Sequence, residues 1–157
     1  MKRTINIVVE NKFGVLARIA GLFSGRGFNI KSLCAGETLN PELSQMTVVA
    51  KGDDMIIEQI KKQLNKLINV VKVQDFTDEE HVERELVLIK VNLSVKSRAE
   101  LMEIADIFRA NIVDISKNNA TVELTGKEDK VKAFIELIQT FGIIEIARTG
   151  KLVIARG

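Results

Sequence analysis

Apolar positions alternate from Thr4 to Val9, with Ile5, Ile7 and Val9 on one side, the period-two pattern of a strand with one buried face. Asn11 and Gly14 follow, polar and flexible residues suited to a strand-to-helix corner. Val15, Leu16, Ile19, Leu22 and Phe23 then recur at helical spacing, and Ser24-Gly25-Arg26-Gly27 stops the helix. Phe28–Gly36 is extended, and residues 37–42, which hold the only proline, form a loop. Ser44–Ala50 alternates again. Gly52-Asp53-Asp54 opens a second helix with Asp53 as N-cap, striped by Ile57, Ile60, Leu64 and Leu67, and Val70–Phe76 is a last strand. This βαββαβ order fits a four-stranded antiparallel sheet with both helices on one face, the ferredoxin-like arrangement.

The acidic, non-periodic stretch Thr77–Glu83 is the predicted linker. Beyond it the order repeats. Glu85–Val95 alternates, and Ser97-Arg98-Ala99-Glu100 has the form of a capping box. Leu101, Ile104, Ala105 and Phe108 stripe a third helix. Two short strands, 112–116 and 120–125, flank a Lys117-Asn118-Asn119 turn. Val131, Phe134, Ile135 and Ile138 stripe a fourth helix, and Ile143–Arg148 is a strand followed by an apolar tail, Lys151–Ala155. The expected fold is α+β, two tandem βαββαβ units over residues 1–76 and 84–157 joined by 77–83. Ser94-Val95-Lys96-Ser97 stands in the second unit where the first has Asn-x-x-Gly, so the second is expected to lack the same ligand pocket.

The first corner carries chemistry. The first N–H groups of a helix have no intrahelical acceptor, and the helix dipole adds partial positive charge, so a carboxylate is a natural guest. Gly14, without a Cβ, lets a ligand approach the backbone. Spacing alone favours a plainer corner, with Asn11 as a turn or capping residue.

The remaining composition mostly excludes. The chain has 157 residues, 46% of them hydrophobic, enough for two small cores. No apolar run approaches the roughly 18 residues of a membrane span, and Lys2-Arg3 leads into an alternating strand, not a signal sequence, so a cytoplasmic protein is expected. Net charge is +2, too near neutral to demand a nucleic-acid partner. Its distribution is uneven: residues 1–76 hold 11 Lys and Arg against 7 Asp and Glu. One cysteine, Cys34, expected in packed core, and one histidine, His81, in the linker, supply neither a nucleophile–base pair nor a zinc set. No catalytic and no metal residue is assigned. Gly21, Gly25 and Gly27 end a helix instead of opening one, which removes the dinucleotide-binding reading. RNA-binding domains with this element order stack bases on exposed aromatics, but here there is no Trp or Tyr, and the seven Phe fall mainly in helical stripes or at element ends.

The segment from Asn11 to Leu33 (Asn-x-x-Gly-Val-Leu-x-Arg-Ile-x-Gly-Leu-Phe-Ser-x-Arg-Gly-Phe-Asn-Ile-x-Ser-Leu) resembles the opening of an ACT domain, and more narrowly that of the small, regulatory subunits of acetolactate synthase. Leu43–Val48, Gln59–Ile68 and His81–Leu86 agree with that family. The resemblance implies an N-terminal ACT domain, an ACT-like C-terminal domain, and a subunit without catalysis of its own. Such a subunit activates a large catalytic subunit and confers feedback inhibition by a branched-chain amino acid, with valine the expected effector. It implies no cofactor in this chain, and thiamine diphosphate, Mg and FAD in the catalytic partner. It implies a homodimer through ACT sheets side by side. The effector pocket then maps to Asn11, Gly14, Val15 and Leu16 of one chain and Asn29 and Ile30 of its neighbour. Without the resemblance, Asn29 reads as a helix-to-strand turn residue. The alternative is a free-standing amino-acid-sensing ACT protein that regulates another enzyme or a transcription factor.

Overall fold

The computed structural model describes residues 2–157. By contacts it divides into two compact units. One comprises the described residues up to Val82 together with Lys151–Gly157; the other is Glu83–Gly150.

The first unit runs β1 (Lys2–Glu10), α1 (Val15–Gly25), β2 (Asn29–Glu37), β3 (Leu43–Lys51), α2 (Asp54–Lys66), β4 (Val70–Asp75). Its sheet has the order β2-β3-β1-β4, antiparallel throughout. The pleat of β1 turns Ile5, Ile7 and Val9 to the helices and Thr4, Asn6 and Val8 to the other face. Ile5, Ile7, Val9, Met46, Val48 and Ala50 pack with Ile19 and Phe23 of α1 and Ile57, Ile60 and Leu64 of α2. Each such side chain, nearly all of it withdrawn from water, contributes about 1.5–3 kcal/mol. Phe23 and Phe28 close the end of α1 in an edge-to-face contact, centroids 6.5 Å apart. Asp53 caps α2 as expected, its carboxylate accepting from Met55 N–H at 2.8 Å.

The second unit repeats the order with β5 (His81–Asn92), α3 (Arg98–Phe108), β6 (Asn111–Ile115), β7 (Asn119–Gly126), α4 (Glu128–Ile138), a 3₁₀ turn (Gln139–Phe141) and β8 (Ile143–Arg148). The strand order β6-β7-β5-β8 corresponds position by position to that of the first sheet. Val87, Ile89 and Val91 of β5 and Ala120, Val122 and Leu124 of β7 pack against Leu101, Val131, Phe134 and Ile138. A final strand, β9 (Leu152–Ala155), groups with the first unit. The fold is thus two tandem ferredoxin-like units.

Several expectations are corrected. The linker is shorter than Thr77–Glu83, because β5 begins at His81. The tail 151–157 groups by contact with the first unit: both main-chain groups of Val153 are met by side chains of β1 and β3. The Ser97–Glu100 capping box does not form. Ser97 stands at the N-cap of α3, but with helical backbone (φ −91°, ψ −9°), and its hydroxyl accepts from Ser94 N–H at 2.9 Å instead of a helix N–H. Strand β5 stops at Asn92, leaving Val95 exposed. Cys34 is half-buried instead of core: it pairs with Thr47 and so shares the face away from the helices.

One ion network ties β1 to α2 and β4. The Arg3 guanidinium reaches Asp54 (3.4 Å), Glu58 (3.2 Å) and Asp75, and Lys61 joins Glu58 and Asp75. Burial by itself would push the Asp75 carboxyl up. Hydrogen bonds from the Thr77 hydroxyl, Arg3, the Thr77 N–H and Lys61 outweigh it and hold the pKa at about 2. A carboxylate whose folded pKa is depressed contributes stability above its unfolded value of about 3.9, and that contribution is lost as pH falls towards about 2. Asp75→Asn is therefore expected to lower unfolding stability by about 1–3 kcal/mol at pH 7 and to lose less than the parent between pH 4 and 2. Urea melts across that range check it; equal acid sensitivity of the two proteins would refute the role of Asp75.

Candidate functional site

The β1–α1 corner is built by what its residues leave unpaired. Asn11 N–H donates to the Glu42 carbonyl at 2.7 Å, turning the chain out of β1, and Lys12 N–H donates back to the Glu10 carbonyl at 2.9 Å. Gly14 then takes the left-handed conformation, φ 83° and ψ −7°, as the N-cap of α1. A glycine cap has no side chain to satisfy the helix, and the first turn carries no acidic residue. Arg18 N–H, the first with a regular helical partner, donates to the Gly14 carbonyl at 3.1 Å. Val15 N–H makes a long bond to the Lys12 carbonyl, 3.3 Å. Among the described residues, the N–H groups of Gly14, Leu16 and Ala17 have no backbone acceptor.

This refines the expected donor set. The N–H groups of Gly14 and Leu16, and with them that of Ala17, are unpaired in the backbone, whereas that of Val15 is engaged. An added Cβ at Gly14 would meet nothing within 4 Å, so the backbone there faces open space. Leu16 departs from the buried stripe, 46% exposed where Val15 and Ile19 are buried. It turns instead to a cleft of about 280 Å³ beside the corner, near the lower end of the roughly 300–1,000 Å³ usual for small-ligand sites.

Val9, Val15, Leu16 and Met46 give that cleft its apolar wall; Glu10, Asn11, Lys12 and Glu37 give it charge and hydrogen-bonding capacity. Asn11 Nδ2 donates to the Pro41 carbonyl (3.1 Å) and to Glu37 Oε1 (3.3 Å), which leaves its Oδ1 as a free acceptor. Lys12 Nζ lies 2.8 Å from Glu10 Oε2, and this hydrogen bond raises the Lys12 pKa above the ordinary lysine value. The corner thus sets unpaired helix amides beside a cleft that holds an amide oxygen, a carboxylate and an aliphatic wall.

Asn11, Val15 and Leu16 line this cleft; Gly14 is not among its lining residues and faces open space. Asn29 and Ile30 do not join them within one chain. They open β2, whose far end lines the cleft at Ala35–Glu37, about 20 Å along the strand at 3.3 Å per residue. Sequence reading missed Glu37, which it left in a loop. The hairpin register pairs Glu37 with Ser44, so extending the two strands symmetrically to the 38–42 loop would have placed it at the cleft. In the second unit the equivalent corner, expected to lack the same pocket, still holds a cavity of about 520 Å³, lined by residues that include Asn92, Ser94, Ser97 and Glu100. Its lining differs: serines hydrogen-bonded to each other take the place of a bare glycine cap.

Comparison with known proteins finds a match for each half of the chain. Residues 5–72 match a family profile described as an acetohydroxyacid synthase (AHAS) small subunit-like ACT domain, and residues 84–157 match one described as the small subunit of acetolactate synthase. A probable acetolactate synthase small subunit of Archaeoglobus fulgidus is 55% identical over 157 residues, covering 100% of this chain and 98% of the relative. That of Aquifex aeolicus is 51% identical, covering 99% and 81%. The crystal structure of the small subunit from Thermotoga maritima superposes with a TM-score of 0.90 at 43% identity, covering 100% and 98%. With both halves matched and full-length relatives at this identity, the chain belongs to the acetolactate synthase small-subunit family.

Proposed function

We propose that this chain is the effector-sensing, non-catalytic subunit of an acetolactate synthase, and that the β1–α1 cleft binds a branched-chain amino acid, valine first among them. The observation that carries the reading is the uncapped start of α1: Gly14, Leu16 and Ala17 present amide hydrogens without acceptors, beside a small cleft with an aliphatic wall.

A carboxylate seated on these amides gains charge-assisted hydrogen bonds of about 1.5–3 kcal/mol each. Asn11 Oδ1 and Glu37 take the ammonium, and Val9, Val15, Leu16 and Met46 cover an isopropyl group. A second copy of the chain supplies Asn29 and Ile30, closing a cleft that a single chain leaves open. A large catalytic subunit, with thiamine diphosphate, Mg and FAD, carries the condensation of two pyruvates to acetolactate and CO2. The small subunit raises that activity, and the effector withdraws the gain. An effector held between two copies shifts the holoenzyme only through unequal affinity for two arrangements.

Gly14→Asp tests the site. Asp tolerates the left-handed conformation better than most residues, and the position faces open space, so the fold is retained. The added carboxylate competes for the amides that would hold the ligand. Titration calorimetry should show valine binding weakened by about 100-fold or more, the loss expected of two charge-assisted bonds; unchanged affinity would refute the site. The purified chain alone should produce no acetolactate from pyruvate, and turnover without a large subunit would overturn the non-catalytic assignment.

A further inference from the structure

The face of the first sheet turned away from its helices would be expected to be wet, yet Thr4, Asn6 and Thr47 are buried on it. Asn6 and Thr47 are direct cross-strand partners at the centre of β1 and β3. Strand β9 lies over them. Val153 has no exposed surface, while Leu152 and Ile154 on either side remain about half exposed.

The contact is a closed ring of hydrogen bonds around one residue. Val153 N–H donates to Thr47 Oγ1 at 3.5 Å; the Thr47 hydroxyl donates to Asn6 Oδ1 at 2.7 Å; Asn6 Nδ2 donates to the Val153 carbonyl at 2.7 Å. Each bond fixes the direction of the next. Thr47 must give its proton to Asn6 because its oxygen faces the Val153 N–H, and the Asn6 amide is thereby oriented with its NH₂ towards the carbonyl. Both main-chain groups of Val153 are satisfied by side chains, and undocking would leave two buried polar groups to be rehydrated.

The tail and the effector cleft share a wall. Ala35, Gly36 and Glu37 of edge strand β2 line the effector cleft, and they also line a second cavity, about 320 Å³, whose other side is formed by Leu152 and Ile154. A short edge segment with one neighbouring strand is thus packed by the effector site on one side and by β9 on the other.

We propose that β9 is a latch on the sensor sheet, coupled to effector occupancy through Ala35–Glu37: docking of the tail and binding of the effector favour one another. This rests on the effector reading above. The physical basis is ordering. Whichever partner arrives first restricts the edge segment, and the second then meets a segment that has already lost that freedom. By linkage the effect is reciprocal, so the factor by which effector strengthens docking equals the factor by which docking strengthens effector binding.

Amide hydrogen exchange at Val153 in the full chain, with and without saturating L-valine, reads the coupling from one side. Calorimetry of L-valine binding to the chain lacking residues 151–157 reads it from the other. Valine should slow Val153 exchange, and the truncation should weaken valine affinity by a matching factor, about fivefold or more if the coupling is worth one ordinary hydrogen bond. Thr47→Val, isosteric within the strand, should speed Val153 exchange and, to the extent that it undocks the tail, weaken valine binding by up to the factor seen with the truncation, a control that does not depend on how the truncated chain folds. Valine binding to the parent with normal affinity but no change at Val153, or undiminished affinity in both variants, would overturn the latch and leave the effector site standing. No valine binding to the parent at all would overturn the effector reading and the coupling together.

Discussion

The pleat of β1 is the constraint on which the first unit depends. A strand presents successive side chains to opposite faces, and β1 uses both without exception. Ile5, Ile7 and Val9 face the helices and form the core, while Thr4 and Asn6 lie buried on the other side, Asn6 beneath β9. Arg3 ties the strand to α2 and β4 through a carboxylate cluster, and Asn11, just past its end, fastens the α1 corner to the 38–42 loop. A slip of one residue in its register would send the apolar set to the tail and the polar set into the core. Pairing with β3 over nine consecutive residues holds that register.

From this strand the chemistry follows by geometry. The corner at its end must turn sharply into α1, and the turn is made by a left-handed glycine that offers the helix no side-chain cap. Most helices satisfy their first amides with a serine, threonine or aspartate; here three remain without a backbone acceptor, next to an aliphatic wall. The second unit, with the same strand order, fills its corresponding corner with a pair of serines instead. The two halves thus share one architecture; α3 also starts without a side-chain cap, and what distinguishes the first corner is its left-handed glycine beside an aliphatic wall.

Most of the architecture was legible in the sequence because its signals are periodic. The alternation in β1 and β5 and the helical stripes of Ile57–Leu64 and Val131–Ile138 each reflect one buried face. The misreadings come where one residue has two uses. Leu16 sits at stripe spacing yet turns to the cleft, while Val15 beside it takes the core position in the first turn. Ser97 has capping-box spacing, but Ser94, three residues before it, engages its hydroxyl. Asn6 and Thr47 read as ordinary polar positions on a solvated strand face; nothing local tells that a strand more than a hundred residues away would bury them. Asn29 and Ile30 took their place in the site from resemblance alone, and their position at the far end of β2 allows them a role there only across two chains.

The proposed effector site depends on amide hydrogens holding a carboxylate. Backbone ¹H–¹⁵N NMR of the full chain, titrated with L-valine and with L-valine methyl ester, probes this directly. Saturable shifts at Gly14, Leu16 and Ala17 with valine, absent with the ester whose carboxylate is blocked, are the predicted result. Valine binding that leaves these three amides unmoved, or an ester that binds as well as the free acid, would contradict it.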